Sequence, residues 1–266
     1  MRSRDRNRAL LRQAVKLALK LERIASGKNL RRPLLIAGYG FLVRNRRLAA
    51  AIMQIKEASA YEAGVLVRTM LEIKINYAWI RLTNTYSRAL RFWHYLPVER
   101  LRLLERAAMI LRPNDYKARK RQLEQARRKV RHLFRLRDRN GKMRWARSWA
   151  QVESVEARLA EVQKKQNPSQ PDLFQYAMYI YLSSVVHGSP LSVEQVLRIH
   201  NKRLRPARQP ESDPERHVVG ALALLMWTVD TFATDSKLKR ALQPEISDLA
   251  SAVGALAARR YRDGTI

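Results

Sequence analysis

Tyr176-Ala-Met-Tyr-Ile-Tyr-Leu-Ser-Ser-Val-Val-His-Gly-Ser-Pro190 is an apolar, aromatic stretch whose few polar members are spaced like a site. Tyr179, Ser183 and His187 recur every four residues, so a helix lines them up along one face. Gly188 is a natural terminator and Pro190 lies just beyond it. His187 therefore falls in the last turn, where the helix C-terminus favours the imidazolium. Gln166-Asn-Pro-Ser-Gln-Pro171, immediately before this stretch, reads as the clearest linker in the chain.

Outward from that helix the rest of the chain also reads helical. Gly and Pro are sparse, apolar residues recur at three and four, and no Asn-Gly hairpin between alternating strands is expected. The fold class is all-α. Asp5 to about Ser26 is a first helix with Leu10, Ala14, Leu17, Leu21 and Ile24 on one stripe. Leu34 to about Ile55 follows, with Arg44, Arg46 and Arg47 midway. Glu57 to Leu82 is apolar nearly all round, which marks a buried helix. Its exceptions, Arg68, Glu72 and Asn76, again fall four apart, and buried charges need partners.

Pro97 splits or kinks the segment from Tyr86 to Leu111. A basic helix from Tyr116 to Asp138 then turns at Arg139-Asn-Gly-Lys142 into a return helix carrying Trp145, Trp149, Leu159 and Val162. The expectation is an inserted antiparallel helical hairpin with one apolar seam. A short helix is expected from Leu191 to His200, a polar loop from Asn201 to Pro214, an apolar helix to about Thr234 and a last helix from Pro244 to Tyr261. The organisation expected is a basic N-terminal helix at 1–33, the first bundle helices at 34–112, the basic hairpin at 113–166 and the completing helices at 167–266.

Charge supplies the strongest global constraint. Of the net +30, residues 1–147 hold 38 Lys and Arg against 10 Asp and Glu, leaving the remainder near neutral. Such an imbalance strains a compact fold unless an anionic partner offsets it, and nucleic acid is the commonest such partner. Arginine outnumbers lysine about three to one, which suits bidentate phosphate contacts. Arg44, Arg46, Arg47, Arg127, Arg128, Arg131, Arg135, Arg137 and Arg139 are the expected phosphate contacts, against the plainer readings of a solvated face or an arginine-rich proteome. Trp145 and Trp149 read as seam packing ahead of base-stacking platforms.

There is no cysteine, and the five histidines include no pair with zinc spacing, so neither a metal site nor a cofactor is expected. No unbroken apolar run approaches membrane-span length, the longest being Val218 to Thr228, and the basic start lacks a cleavable apolar core. A cytoplasmic setting is expected.

Two blocks resemble a bacterial helical family, domain-of-unknown-function family 5677. They are Glu57-Ala-Ser-Ala-Tyr-Glu-Ala-Gly-Val-Leu-Val-Arg-Thr-Met-Leu-Glu72 with Asn76, and Tyr179-x-x-x-Ser183-x-x-x-His187-Gly188-Ser189. The resemblance spans about residues 50–235 and implies a HEPN-like bundle (higher eukaryotes and prokaryotes nucleotide-binding); RNA cleavage by 2′-hydroxyl attack needs an acid, a base and a cation rather than a metal, and the two polar lines supply that set. The usual HEPN Arg-to-His spacing occurs at Arg127/His132 and Arg88/His94, without the customary polar residue after the arginine, and carries no weight. On this reading His187 is general acid or base, Arg68 stabilises phosphate charge, Glu72 orients one of them, and Tyr179 and Ser183 supply hydrogen bonds. The structural alternative is an Arg68–Glu72 ion pair fixing the bundle and a His187 bonded to a carbonyl.

The function expected is a nucleic-acid-binding effector, an RNA-cleaving toxin or phage-defence component, with RNA ahead of DNA. A non-catalytic nucleic-acid binder, a homodimer and an acidic protein partner stay open.

Overall fold

The computed structural model describes residues 3–28, 30–55, 60–110, 112–138, 140–146, 148–150, 154–166, 179, 197–200, 203–206 and 214–262. The architecture is all-α, with two short β-ribbons attached. α1 (Ser3–Ser26) places Leu11, Ala14, Leu17, Ala18, Leu21 and Ala25 in the core, one stripe of an amphipathic helix. α2 (Pro33–Gln54) opens with proline in its first turn, where the missing N–H costs nothing. α3 (Ala60–Leu82) is the central helix, with Met70, Leu71, Ile75, Tyr77 and Ile80 all fully buried.

Further along, α9 (Pro214–Asp235) packs against α1, α2 and α3, and α10 (Lys239–Arg262) closes over α9 and α1. The basic first helix is thus part of the main core. By length and hydropathy Glu215–Asp235 could cross a membrane, but 72% of its most apolar window is buried inside the bundle. It is the core helix that α1, α2 and α3 surround. The last helix starts five residues before the expected Pro244, which lies inside it.

Polar ties fix the register of these helices. Asn45 Nδ2 donates to Thr228 Oγ1 at 2.8 Å, joining α2 to α9. Tyr77 Oη donates to Asp235 at 2.7 Å, joining α3 to the end of α9. Gly38 makes that geometry possible, because a Cβ there would sit 2.5 Å from Tyr77 Oη and 3.0 Å from Phe232.

Pro97 acts as expected: the helix divides into α4 (Thr85–His94) and α5 (Leu96–Arg106). α6 (Pro113–Lys129) follows after a short 3-10 turn and buries no residue. The helical hairpin is where the structure departs most from the sequence reading. α6 packs on α5, and the chain then makes one turn, α7 (Arg131–Phe134), before entering β1 (Arg135–Arg137).

β1 pairs antiparallel with β2 (Met143–Trp145) in the register Arg135↔Trp145, Leu136↔Arg144, Arg137↔Met143. The Asn140-Gly141 turn decides this. Gly141 adopts φ +75°, which a glycine accepts at no steric cost. The Asp138 carboxylate caps the turn by accepting the Asn140 and Lys142 N–H groups at 3.0 and 2.9 Å. The return helix starts only at Val155, as α8 (Val155–Gln166), and lies on α3.

A second correction falls at residues 197–206. Leu197–His200 is β3, not helix, and it pairs with β4 (Arg203–Pro206) inside the expected loop. The alternation Leu197-Arg-Ile-His200 carries the strand period of two.

Candidate functional site

The turn of α3 stacks Arg68, Glu72 and Asn76 on one line. Arg68 Nη2 lies 2.9 Å from Glu72 Oε1 and donates to Tyr179 Oη at 3.3 Å. Tyr179 Oη reaches Glu72 Oε1 at 3.5 Å, and the Arg68 guanidinium carbon is 5.3 Å from the Tyr179 ring centre. Tyr179 is buried against this line of α3. Ser183 and His187 lie outside the described residues. Asn76 sits one turn beyond Glu72, with its carbonyl oxygen buried and unpartnered.

Two further members come from α8. Glu156 is held as a carboxylate. Burial raises its pKa, but its own backbone N–H, hydrogen bonds from Ser154 and Tyr179, and the Arg68 charge together bring it below the usual range. Arg158 is only 6% exposed. Burial lowers its pKa, and the Glu72, Tyr179 and Glu156 charges offset part of that loss. Its guanidinium carbon lies 5.6 Å from the Trp149 ring centre.

Sequence reasoning overlooked both residues, although Arg158 carries a readable signal. It interrupts the apolar stripe Val155, Leu159, Val162. A charge on a core stripe implies a buried counter-charge. Ser154 Oγ accepts the Ala157 N–H at 3.1 Å, the N-cap that sets where α8 begins.

This cluster holds two guanidiniums and two carboxylates around one phenol. Chemically it can present a fixed cation to a phosphate, with carboxylates that orient it. Among the described residues no His, Cys, Asp and Glu group has the makings of a metal site. A groove between α1 and α10, lined by Gln13, Lys16, Lys20, Glu245 and Asp248, involves none of these residues.

The expected phosphate contacts separate into three kinds. Arg44 and Arg47 are exposed, whereas Arg46 is committed to the buried Glu22 of α1. Arg128, Arg131 and Arg137 are exposed on the arm formed by α6 and the first ribbon, and Arg135 is half-buried. Arg127 lies over the Trp145 ring, 4.8 Å from its centre. Arg139 lies outside the described residues. Trp149 packs edge-on against Trp79 and Phe92, so it is core rather than a stacking platform.

The arm is anchored firmly. Arg102 Nη2 and Tyr95 Oη both donate to the Ala146 carbonyl, at 2.7 and 3.0 Å. The Ala146 N–H in turn donates to the Phe134 carbonyl at 2.7 Å, closing the base of the ribbon.

Residues 35–204 match the model of a family of unknown function, DUF5677, over well over half of the chain. The chain belongs to this family. The DUF5677 match takes in both blocks of the site, Arg68 to Asn76 and Tyr179 to Ser189, together with the arm. It leaves out α1, α9 and α10, so helices beyond the matched segment complete the core on which the site is built. No curated protein and no solved structure matches the chain.

Proposed function

We propose that this chain is a nucleic-acid-binding effector that cleaves RNA without a metal, acting as a toxin or phage-defence component. The observation that carries the reading is the arm. Residues 113–145 hold thirteen Lys and Arg against three Asp and Glu, and seven of the thirteen lie on α6, a helix with no buried residue. A helix that buries nothing gains little from packing, and crowding like charges on it costs free energy unless phosphates offset them. The HEPN-like reading of the bundle belongs with this proposal.

In the proposed reaction the RNA 2′-oxygen attacks the adjacent phosphorus and the 5′-oxygen leaves with a proton. Arg68 faces the charge that develops on phosphorus, and Glu72 holds the guanidinium in place. His187 acts in proton transfer, with Ser183 and Tyr179 donating hydrogen bonds. Expression is expected to slow growth and degrade RNA, and His187→Ala to abolish both. RNA binding should weaken steeply with salt, and Arg128→Glu with Arg131→Glu and Arg137→Glu should flatten that dependence. Cleavage that survives His187→Ala would remove the mechanism; salt-independent binding would remove the arm.

One observation favours a second reading, a nucleic-acid binder without catalysis. Arg68 and Arg158 already have Glu72, Glu156 and Tyr179 beside them, which is what a cluster that only fixes the bundle requires. That reading predicts the same salt-dependent binding with no cleavage product under any condition.

A further inference from the structure

α6 sorts its side chains in a way that total charge does not explain. At about 100° per residue, positions 118, 121, 122, 125, 128 and 129 form a face about 120° wide centred on Gln125. All six are exposed, and they are Ala118, Arg121, Gln122, Gln125, Arg128 and Lys129. Neither acid of the helix lies on that face. Asp115 stands in the first turn, and Glu124 is half-buried, about 100° round from Gln125.

The cations bracket the amides. Arg121 and Arg128, with the exposed Lys117 beyond them, lie to one side of Gln125, and Lys129 and the exposed Arg119 lie to the other. Positions 119 and 121 are about 160° apart round the axis, so the two sides are separated by nearly the full width of a helix with its side chains, about 10 Å. The strip between them runs for about 17 Å along the axis. An unpaired strand offers one row of phosphates, whereas a double helix offers two with a groove between them.

Unpaired strands are usually held by stacking their bases on aromatic rings. Among the described residues the arm exposes no such ring. Tyr116 is half-buried with Lys120 5.6 Å from its ring centre, Phe134 is fully buried, and Trp145 is half-buried with Arg127 over it at 4.8 Å. The exposed rings Tyr86 and Trp93 belong to α4, outside the arm.

We propose that this face of α6 binds double-helical RNA across its minor groove, with the bracketing cations on the phosphates of the two strands and Gln122 and Gln125 on the 2′-hydroxyls between them. The A-form minor groove is wide and shallow and displays those hydroxyls, which both donate and accept hydrogen bonds. A glutamine amide also does both, so it matches a 2′-hydroxyl where a third cation would not. The inference rests on the proposed function and names its substrate as the paired regions of an RNA. It assigns the arginines to affinity and the two glutamines to the choice of RNA over DNA.

The test is fluorescence anisotropy on the full-length protein, wild type and His187→Ala, the latter so that cleavage does not consume the probe. The probes are a 20-base-pair RNA duplex, the DNA duplex of the same sequence and one unpaired, unstructured RNA strand, each over a series of salt concentrations. The RNA duplex is expected to bind at least about tenfold tighter than the strand, and at least about fivefold tighter than the DNA duplex, the worth of one hydrogen bond. Gln122→Ala/Gln125→Ala, at exposed positions where alanine suits a helix, should erase the preference over DNA and leave the salt dependence unchanged. Arg121→Gln/Arg128→Gln should weaken both duplexes alike and lower the slope of log affinity against log salt by about 1.8. Trp93→Ala should change nothing. An unpaired strand that binds as tightly as the duplex overturns the inference. So does a preference for RNA that survives the glutamine exchange, a slope that survives the arginine exchange, or binding that is lost with Trp93. No salt-sensitive binding of any probe removes the nucleic-acid reading itself, and this inference with it. Duplex binding without cleavage removes only the catalytic part of the proposed function.

Discussion

Arg158 shows what a single misplaced charge does inside this bundle. Its guanidinium lies among Glu72, Glu156 and Tyr179 with its Nε buried and unpartnered. Replacing it by a shape-matched apolar residue leaves two carboxylates short of a counter-charge in a low-dielectric setting. Arg158→Met is therefore expected to lower unfolding free energy by about 3 kcal/mol in urea denaturation. Tyr179→Phe should cost about 1 kcal/mol, because it removes one hydroxyl while the ring still fills its place. At this scale the sequence was half legible. Arg68, Glu72 and Tyr179 are readable because four-residue spacing repeats in two apolar stretches of the sequence. Glu156 and Arg158 escape notice because the charges they face on α3, Arg68 and Glu72, are more than eighty residues away in the chain.

Between elements, one clamp joins α3, α4 and α8. Arg88 lies over the Trp79 ring, 3.7 Å from its centre, and donates to the Trp79 carbonyl at 2.6 Å and to Glu161 at 2.7 Å. Trp79 Nε1 donates to the other Glu161 oxygen. Burial raises the Glu161 pKa, but hydrogen bonds from Arg88 and Trp79 and the Arg88 and Lys165 charges bring it below the usual carboxylate value. The folded state thus holds its proton less tightly than the unfolded chain. The clamp's contribution is present above the unfolded value of 4.5 and is lost as pH falls through the lower folded value. An acid titration of thermal stability should show this decline, and Glu161→Gln should make it shallower.

The ribbon offers a second test at the same scale. Arg102→Ala removes one of the two side-chain donors to the Ala146 carbonyl, so amide exchange should speed up at residues 134–146 and little elsewhere. The ribbon also shows where periodicity misleads. Leu123, Ala126, Val130 and Leu133 continue a helical pattern up to the turn, and only the Asn140-Gly141 pair announces the strands. The three-residue strands are too short to show a period of two.

Across the whole molecule, charge repulsion is the dominant stress. Residues 1–147 carry nearly all of the net +30, and α1, α2 and the arm bring those charges onto one body. Moderate salt is expected to raise the melting temperature by screening that repulsion, and a polyanion to raise it further at equal ionic strength. A melting temperature unchanged by salt would mean that the charges are already paired internally. By itself the sequence determined the all-α class, the break at Pro97, the central position of α3, the family, and the meeting of Arg68, Glu72 and Tyr179. Each follows from local periodicity, from a residue with fixed backbone preferences, or from a motif that stays within a few turns. The tertiary structure alone decided that α6 pairs with α5, that Arg46 is spent on Glu22, and that Arg158 and Glu156 join the buried cluster. It also decided that a run of apolar residues on α4 and α5 stays uncovered. Those outcomes depend on which faces remain after the core has closed, and no window of sequence contains that information.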